Sequence, residues 1–211
     1  MLGMLNASRF SARRVKDGSE KWRLPGLPNQ TCATPAVGNG LLFTFGTGGK
    51  AATFDRAGWE KALLGFDEFG KGDFMTTRVM SVRTGGVGDV SSSAVVWSEV
   101  KGVPEVTSPL LLGNRLYLVK AGGMAICRDA ATGKSRFEER LGAAGGHFAS
   151  PVASGGRIYA ASDRGTVVVF EDADSLKVLA RNDLKEPIMA TPAIVNGKLY
   201  VRTAGHLYSF K

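Results

Sequence analysis

The sequence predicts an all-β fold built from repeated four-stranded antiparallel sheets, and three observations at fixed spacing support this. A Ser/Thr-Pro box occurs four times, a glycine-containing turn pair follows each box, and an aromatic residue stands eight positions after each proline. Such pairs supply the positive φ angles that two-residue hairpins need. The boxes are Thr34-Pro35, Ser108-Pro109, Ser150-Pro151 and Thr191-Pro192, and the aromatics are Phe43, Tyr117, Tyr159 and Tyr200. Self-similarity at about 40 residues predicts the blades of a β-propeller.

The strands of one predicted blade can be assigned in order from the box onward. Because proline cannot donate to a β-ladder, the box suits the innermost strand, which forms an edge of its sheet. We expect the Ser or Thr hydroxyl to cap the following turn through the backbone. An alternating second strand, an apolar third strand and a turn then lead to the fourth strand. The fourth strands are marked at similar places by Trp22, Trp97, Phe137 and Leu179.

The intervals between the boxes predict about four blades, or five if the two ends are counted, and one insertion. They measure 74, 42 and 41 residues, so the first contains extra chain at about residues 50–80. Residues 57–68 within it read as a short amphipathic helix. Otherwise residues 1–211 are predicted to form a single propeller domain, either an incomplete ring or one closed by the strand around Trp22.

The loop after the predicted helix resembles an EF-hand that has lost its calcium ligands. Asp67, Gly72 and Phe74 fit positions 1, 6 and 8 of such a loop. Positions 3, 5 and 12, which require oxygen ligands, hold a phenylalanine, a lysine and an arginine, respectively. We therefore predict a degenerate EF-hand that binds no calcium.

Composition excludes several classes of protein. Hydrophobic residues make up 44% of the chain and charged residues 22%, which is ordinary for a globular domain. No apolar run is long enough for a membrane helix, and we expect no signal peptide because the apolar N-terminal stretch is too short. Cys32 and Cys127 are isolated, so no zinc site is predicted, while a disulfide between them stays open.

The net charge of +8 is concentrated near the N-terminus, where six basic residues face two acidic ones between positions 9 and 23. This segment could bind an anionic polymer, or it could be a solvated strand edge whose cations discourage pairing. It lacks interleaved aromatics and nucleic-acid motifs, so we favour the second interpretation and expect no nucleic-acid partner.

The turn Asp129-Ala130-Ala131-Thr132-Gly133-Lys134, followed by Phe137, carries a family resemblance. It is similar to the Asp-Ala-x-Thr-Gly-Lys-x-x-Trp segment of the PQQ-binding-like β-propeller repeat proteins. Weaker copies occupy residues 16–22 and 172–177. The resemblance implies a bacterial propeller, of which members usually have seven or eight blades, so this chain resembles the C-terminal half of a longer one. It also implies a periplasmic or secreted location.

The same family includes quinone- and calcium-dependent dehydrogenases and cofactor-free scaffolds, so the resemblance leaves two activities to separate. The adjacent cysteine pair of the dehydrogenases is missing here, and no residues match their calcium ligands or catalytic aspartate. We therefore expect a non-catalytic binding or scaffold module with no cofactor, metal or catalytic residue. A quinoprotein oxidoreductase fragment is the alternative, and an anionic-polymer binder is the second.

In a propeller, the loops that enter the innermost strands converge on one mouth of the central channel. Polar and aromatic residues just before the boxes are therefore the candidate binding residues for a protein or a small polar ligand. They are Asn29, Gln30, Glu105, His147, Phe148 and Glu186. Open blade edges would also allow self-association.

Overall fold

The computed structural model describes residues 2–6, 9–25, 33–46, 78–90 and 92–211, and within them the chain forms five small β-sheets. The strands of its N-terminal part are β1 (Leu2–Asn6), β2 (Arg9–Arg13), β3 (Glu20–Pro25), β4 (Ala36–Gly38), β5 (Leu41–Gly46), β6 (Arg78–Arg83), β7 (Gly88–Asp89) and β8 (Val95–Glu99). Blade 1 has the order β1-β2-β3-β7, and blade 2 has the order β4-β5-β6-β8. The pair β3–β7 is parallel, which departs from the antiparallel blade that the sequence predicted.

The C-terminal part forms three more blades by simple up-and-down connection. Blade 3 contains β9 (Leu110–Leu112), β10 (Arg115–Val119), β11 (Met124–Asp129) and β12 (Ser135–Arg140). Blade 4 contains β13 (Val152–Ser154), β14 (Arg157–Ala161), β15 (Thr166–Glu171) and β16 (Val178–Asp183). Blade 5 contains β17 (Ala193–Val195), β18 (Lys198–Arg202) and β19 (Leu207–Phe210). The predicted all-β propeller of four-stranded blades is confirmed, as an incomplete one.

Each box proline immediately precedes a three-residue strand at one edge of its sheet. These strands are β4, β9, β13 and β17, and each continues through a two-residue turn into the second strand. The turn residues Asn39 and Asn196 adopt left-handed φ angles of 52° and 50°, with glycine after each. The turn chemistry read from the sequence therefore places the innermost strand of four blades.

The hydrophobic core lies between successive blades rather than within one sheet. Tyr117 and Cys127 of blade 3 pack in one buried cluster with Ile158 and Phe170 of blade 4. Equivalent clusters join blade 1 to blade 2, blade 2 to blade 3 and blade 4 to blade 5. Because blades 2, 3 and 4 each share a buried cluster with the blade on either side, they depend on their neighbours for stability.

A row of side chains crosses each blade at the aromatic residue of the repeat. In blade 3 the row is Tyr117, Cys127 and Phe137, and the two rings lie 6.3 Å apart across the small cysteine. The row in blade 2 is Phe43, Ser81 and Trp97, with rings 6.1 Å apart. In blade 4, Tyr159 and Val169 continue to Ala180, whereas the sequence had assigned the marker to Leu179. Leu179 has the opposite orientation and is exposed.

The structure answers the question of ring closure but does not describe the predicted insertion. The helix predicted at 57–68 and the EF-hand-like loop lie outside the described residues. Closure of the ring through the strand around Trp22 does not occur, since β3 pairs with β2 and β7. Among the described strands, β19 pairs with β18 alone. Blade 5 thus has three strands among the described residues.

Candidate functional site

Hydrogen bonds between the boxes align the blades around the channel. The backbone N–H of Thr34 donates to the Ser108 hydroxyl at 3.0 Å, and that of Ser108 donates to the Ser150 hydroxyl at 2.9 Å. Ser150 N–H in turn donates to the Thr191 hydroxyl at 3.1 Å. The hydroxyls therefore link one blade to the next, instead of capping their own turns as the sequence suggested. This ladder places the four boxes side by side.

The linkers before the boxes also dock on the turns that join second and third strands. His147 N–H donates to the Ala121 carbonyl, Asp163 N–H to the Gly146 carbonyl, and Ala204 N–H to the Pro187 carbonyl, at 2.8–3.0 Å. The linkers (100–109, 141–151 and 184–192) and these turns therefore share one side of the chain, which we call the mouth face. Gly46 and Arg78, which flank the insertion, occupy the corresponding turn position in blade 2.

The two candidate glutamates each bind the turn beside them. Glu105 accepts a hydrogen bond from the backbone N–H of Ala121 at 3.2 Å. Glu186 accepts from the Thr203 hydroxyl at 2.5 Å and lies 2.6 Å from the His206 ring. The hydrogen bond from Thr203 is the largest effect that lowers the pKa of Glu186. The carboxylates thus hold linkers against turns, and Glu186 also orients an exposed imidazole.

His147 is enclosed by the fold. Its side chain is 1% exposed, and neither ring nitrogen has a hydrogen-bond partner among the described residues. Burial lowers the pKa of His147, against an opposing effect of the Asp163 carboxylate. Ile188 occupies the same place, four residues before the next box proline, and is also fully buried. His147 therefore has the surroundings of a core residue.

Phe148 belongs to a row of three exposed apolar side chains, and it is the member of the row that the sequence predicted as a binding residue. Val106, Phe148 and Met189 each stand three residues before a box proline and are 39%, 36% and 59% exposed. Met189 also lines a cleft of about 210 Å³ with Pro187 and Ala204. Aligning the linkers on their box prolines would have found all three residues. The remaining candidates, Asn29 and Gln30, lie outside the described residues.

The opposite side of the chain carries the repeat signature and a network of charges. The Asp129 carboxylate accepts two hydrogen bonds of 2.9 Å, from the backbone N–H and from the hydroxyl of Thr132, and these bonds close the turn. The Trp97 indole of blade 2 reaches this turn and donates to the Ala130 carbonyl at 2.9 Å. Gly133 has a φ of +73°, and a Cβ atom there would lie 2.7 Å from the Trp97 ring. The signature turn of blade 3 therefore binds the Trp97 side chain of blade 2, through a hydrogen bond to Ala130 and through contact with Gly133.

Arginine–aspartate pairs join blades 3 and 4 on that side. Asp174 accepts from both Arg115 and Arg136 at 2.6 Å, and the Tyr117 hydroxyl donates to Asp172 at 2.6 Å. The bond from Arg115 is the largest effect lowering the pKa of Asp174. Nearby Cys127 is a free, buried thiol whose pKa burial raises to about 11. These groups are occupied in joining the blades.

The described ranges contain no metal centre, and two arginines of the basic N-terminal segment lie close to a carboxylate. No group of three or more His, Cys, Asp or Glu side chains there could hold a metal ion. In the N-terminal segment, Arg13 and Arg23 approach Glu20 at 3.9 and 3.4 Å. Within the same ranges, no helix is long and apolar enough to cross a membrane.

The blades and the mouth face define a propeller of repeated PQQ-like units. A family model described as "Outer membrane protein assembly factor BamB" matches residues 83–174 and 129–210, which together exceed half of the chain. The chain belongs to this family. No curated protein matches it in sequence.

Three solved structures share the fold at low sequence identity. BamB from Moraxella catarrhalis aligns with a TM-score of 0.64 and 12% identity, covering 96% of this chain and 51% of that one. The computationally designed Ika8 protein aligns with a TM-score of 0.67 and 10% identity, covering 99% of this chain and 57% of the designed one. The computationally designed Ika4 protein aligns with a TM-score of 0.61 and 13% identity, covering 92% of this chain and 98% of the designed one. The chain thus spans about half the length of BamB and of Ika8.

Proposed function

We propose that this chain is a non-catalytic propeller module that binds a segment of a partner protein at its mouth face. The observation that carries the proposal is the exposed apolar row of Val106, Phe148 and Met189. Three consecutive blades present an apolar side chain from equivalent positions on neighbouring linkers. A repeated apolar surface of this kind favours a polypeptide ligand, because exposed apolar patches commonly mark protein interaction sites.

The polar candidates support binding better than catalysis. Glu105 and Glu186 are engaged by turn residues, and the buried His147 ring is closed off from solvent. A general acid or base must instead reach the proton that it transfers. Family membership agrees, since the matching model is described as an assembly factor. By that likeness, we propose assembly of outer membrane proteins as the process in which the module works.

Selection of peptides from a random library on the intact chain tests the proposal. We expect the selection to yield apolar peptides that bind the chain in the micromolar range. A Phe148→Ser, Met189→Ser variant should bind them about tenfold or more weakly, because each serine removes an apolar side chain that the bound peptide would cover. The matched control is a Val15→Ser, Leu179→Ser variant, whose two apolar residues are 76% and 53% exposed away from the mouth face. Equal losses in both variants would contradict the proposal.

A second assay addresses the oxidoreductase alternative. The chain is mixed with pyrroloquinoline quinone and calcium, and dye-linked alcohol oxidation is measured. The proposal predicts no quinone absorbance retained after desalting and no dye reduction above that of the free quinone. Retained quinone with turnover would replace the binding-module account with the dehydrogenase one.

A further inference from the structure

The carboxylate of Asp163 lies close to Phe148 on the mouth face, between blades 3 and 4. Asp163 belongs to the turn that joins β14 to β15, and the linker 141–151 docks on this turn. Two hydrogen bonds of 2.8 Å connect them, one from the Gly146 N–H to Asp163 Oδ1 and one from the Asp163 N–H to the Gly146 carbonyl. Because main-chain groups take part in both bonds, the fold itself fixes the position of the carboxylate.

The Phe148 ring and the second oxygen of this carboxylate border one gap above Gly146. A Cβ atom built on Gly146 would lie 2.6 Å from Phe148 Cε2 and 3.1 Å from Asp163 Oδ2. The ring is exposed, and Oδ2 accepts no hydrogen bond from the residues that the structure describes. The glycine therefore keeps an aromatic ring and a carboxylate oxygen open to the same space.

A ring and a carboxylate in this arrangement are complementary to a basic side chain. The face of an aromatic ring attracts a cation through its quadrupole, and a carboxylate attracts it through its charge. Lysine and arginine also have an apolar stem that can cover a hydrophobic surface while the charged end reaches a polar group. One basic side chain can therefore contact Phe148 and Asp163 together.

The neighbouring linkers also place a carboxylate close to the apolar row, and a turn N–H binds it there. Glu105 directly precedes Val106, and Glu186 stands three residues before Met189. Glu186 is also engaged by a histidine, whereas Asp163 has no side-chain hydrogen-bond partner among the described residues. Asp163 therefore carries a charge with which a ligand can pair.

Arg164 follows Asp163 in the chain but does not pair with it. A Cβ atom on Gly145 would meet both the Asp163 carboxylate and the aliphatic stem of Arg164, so the stem packs on the linker. Within the described ranges, neither Asp163 nor Arg164 forms an ion pair. The carboxylate beside Phe148 is thus open to a cation of another molecule.

We propose that the polypeptide segment bound at the mouth face carries a lysine or arginine next to the apolar residue that contacts Phe148. The apolar residue covers the ring, and the cation pairs with Asp163 Oδ2 above Gly146. This inference rests on the proposed function, because it names the chemistry of the segment that the mouth face binds.

Three libraries of capped octapeptides are the probes. Apolar residues are randomised in all of them, and a single central position is Arg in the first, Gln in the second and Glu in the third. On the intact chain, selected Arg peptides should bind about fivefold more tightly than their Gln counterparts at low salt, and this difference should shrink at high salt. The net charge of +8 would favour the Glu peptides through a general electrostatic effect, so a preference for Arg reports a local carboxylate.

Asp163→Asn is the decisive variant, because its amide oxygen can still accept from the Gly146 N–H while the charge is removed. The variant should lose the preference for Arg over Gln and should bind the Gln peptides like the unaltered chain. Glu171→Gln is the matched control, since Glu171 lies on the opposite side of the chain, where it pairs with Lys177 at 3.2 Å. The control should keep the preference.

The Gln peptides separate this inference from the proposed function. If they bind and lose affinity for the Phe148→Ser, Met189→Ser variant while Arg peptides bind no more tightly, the inference is wrong and the proposed function stands. The inference is also wrong if Glu peptides are preferred or if Asp163→Asn leaves the Arg preference intact. If no library yields peptides whose affinity depends on Phe148 and Met189, the inference and the proposed function both fail.

Discussion

At the residue scale, the signature turn of blade 3 shows why particular residues recur in the repeat. Gly133 combines a left-handed φ with direct contact to the Trp97 ring of the preceding blade. Asp129 holds the turn through Thr132, and the Ala130 carbonyl accepts from Trp97. The sequence revealed the signature as a turn. It could not reveal the contact, because Trp97 lies 33 residues from Ala130 and in another blade.

We predict that Gly133→Ala destabilises the chain by about 2–4 kcal/mol, since it adds backbone strain to a clash with Trp97. Urea unfolding followed by circular dichroism measures the loss. Gly113→Ala is the matched control, because Gly113 has a φ of +54° and no atom within 4 Å of the added Cβ. It should lose only about 1 kcal/mol for the same backbone strain. Equal losses would show that the Trp97 contact contributes nothing.

His147 gives a pH-dependent prediction. Burial lowers the pKa of its imidazole in the folded chain, whereas the unfolded value is about 6.5. The unfolded chain therefore binds more protons as the pH falls below about 6.5, and the free energy of unfolding must decrease there. The loss continues until the pH passes the lowered pKa of the folded state. His147→Ile, which copies Ile188, should remove this decrease between pH 6.5 and 5. An unchanged pH profile in the variant would refute the prediction.

At the element scale, the sequence predicted the strands from β9 onward because each blade repeats one turn chemistry. The hydrogen bonds between the boxes could not be predicted from the sequence. Their partners are 41 to 74 residues apart, and nothing in the sequence of one repeat indicates that its hydroxyl binds another repeat. Val106 and Met189 were missed for a different reason. They share a position rather than a residue type, so only alignment on the box prolines brings them together with Phe148.

The ladder predicts an effect for the hydroxyl of Ser150. Ser150→Ala leaves the Ser108 N–H without its acceptor and should lower the free energy of unfolding by about 1–2 kcal/mol. Ser150→Thr should be close to neutral, because the boxes of blades 2 and 5 already use threonine. Chemical unfolding of both variants measures the difference. A threonine variant as unstable as the alanine one would argue against the hydroxyl as the acceptor.

At the scale of the whole molecule, the chain is an incomplete propeller whose blades share their cores with their neighbours. It spans about half of the BamB chain, at 51%. Its two sides differ: the signature turns and arginine–aspartate pairs join blades on one, while the other presents the apolar row. The fold followed from the repeat, and alignment on the box prolines would have found the three residues of the row, but their exposure needed the structure, since exposure cannot be read from a motif. The binding surface that we propose for this chain is the mouth face.

Hydrogen–deuterium exchange on the intact chain, with and without a selected peptide, locates the binding surface. We expect slower exchange on binding in the linkers 100–109, 141–151 and 184–192, because the bound segment covers them. Exchange in the signature turn at residues 129–134, on the opposite side, should be unchanged. Protection confined to that turn, with no change in the three linkers, would show that the mouth face is not the binding surface.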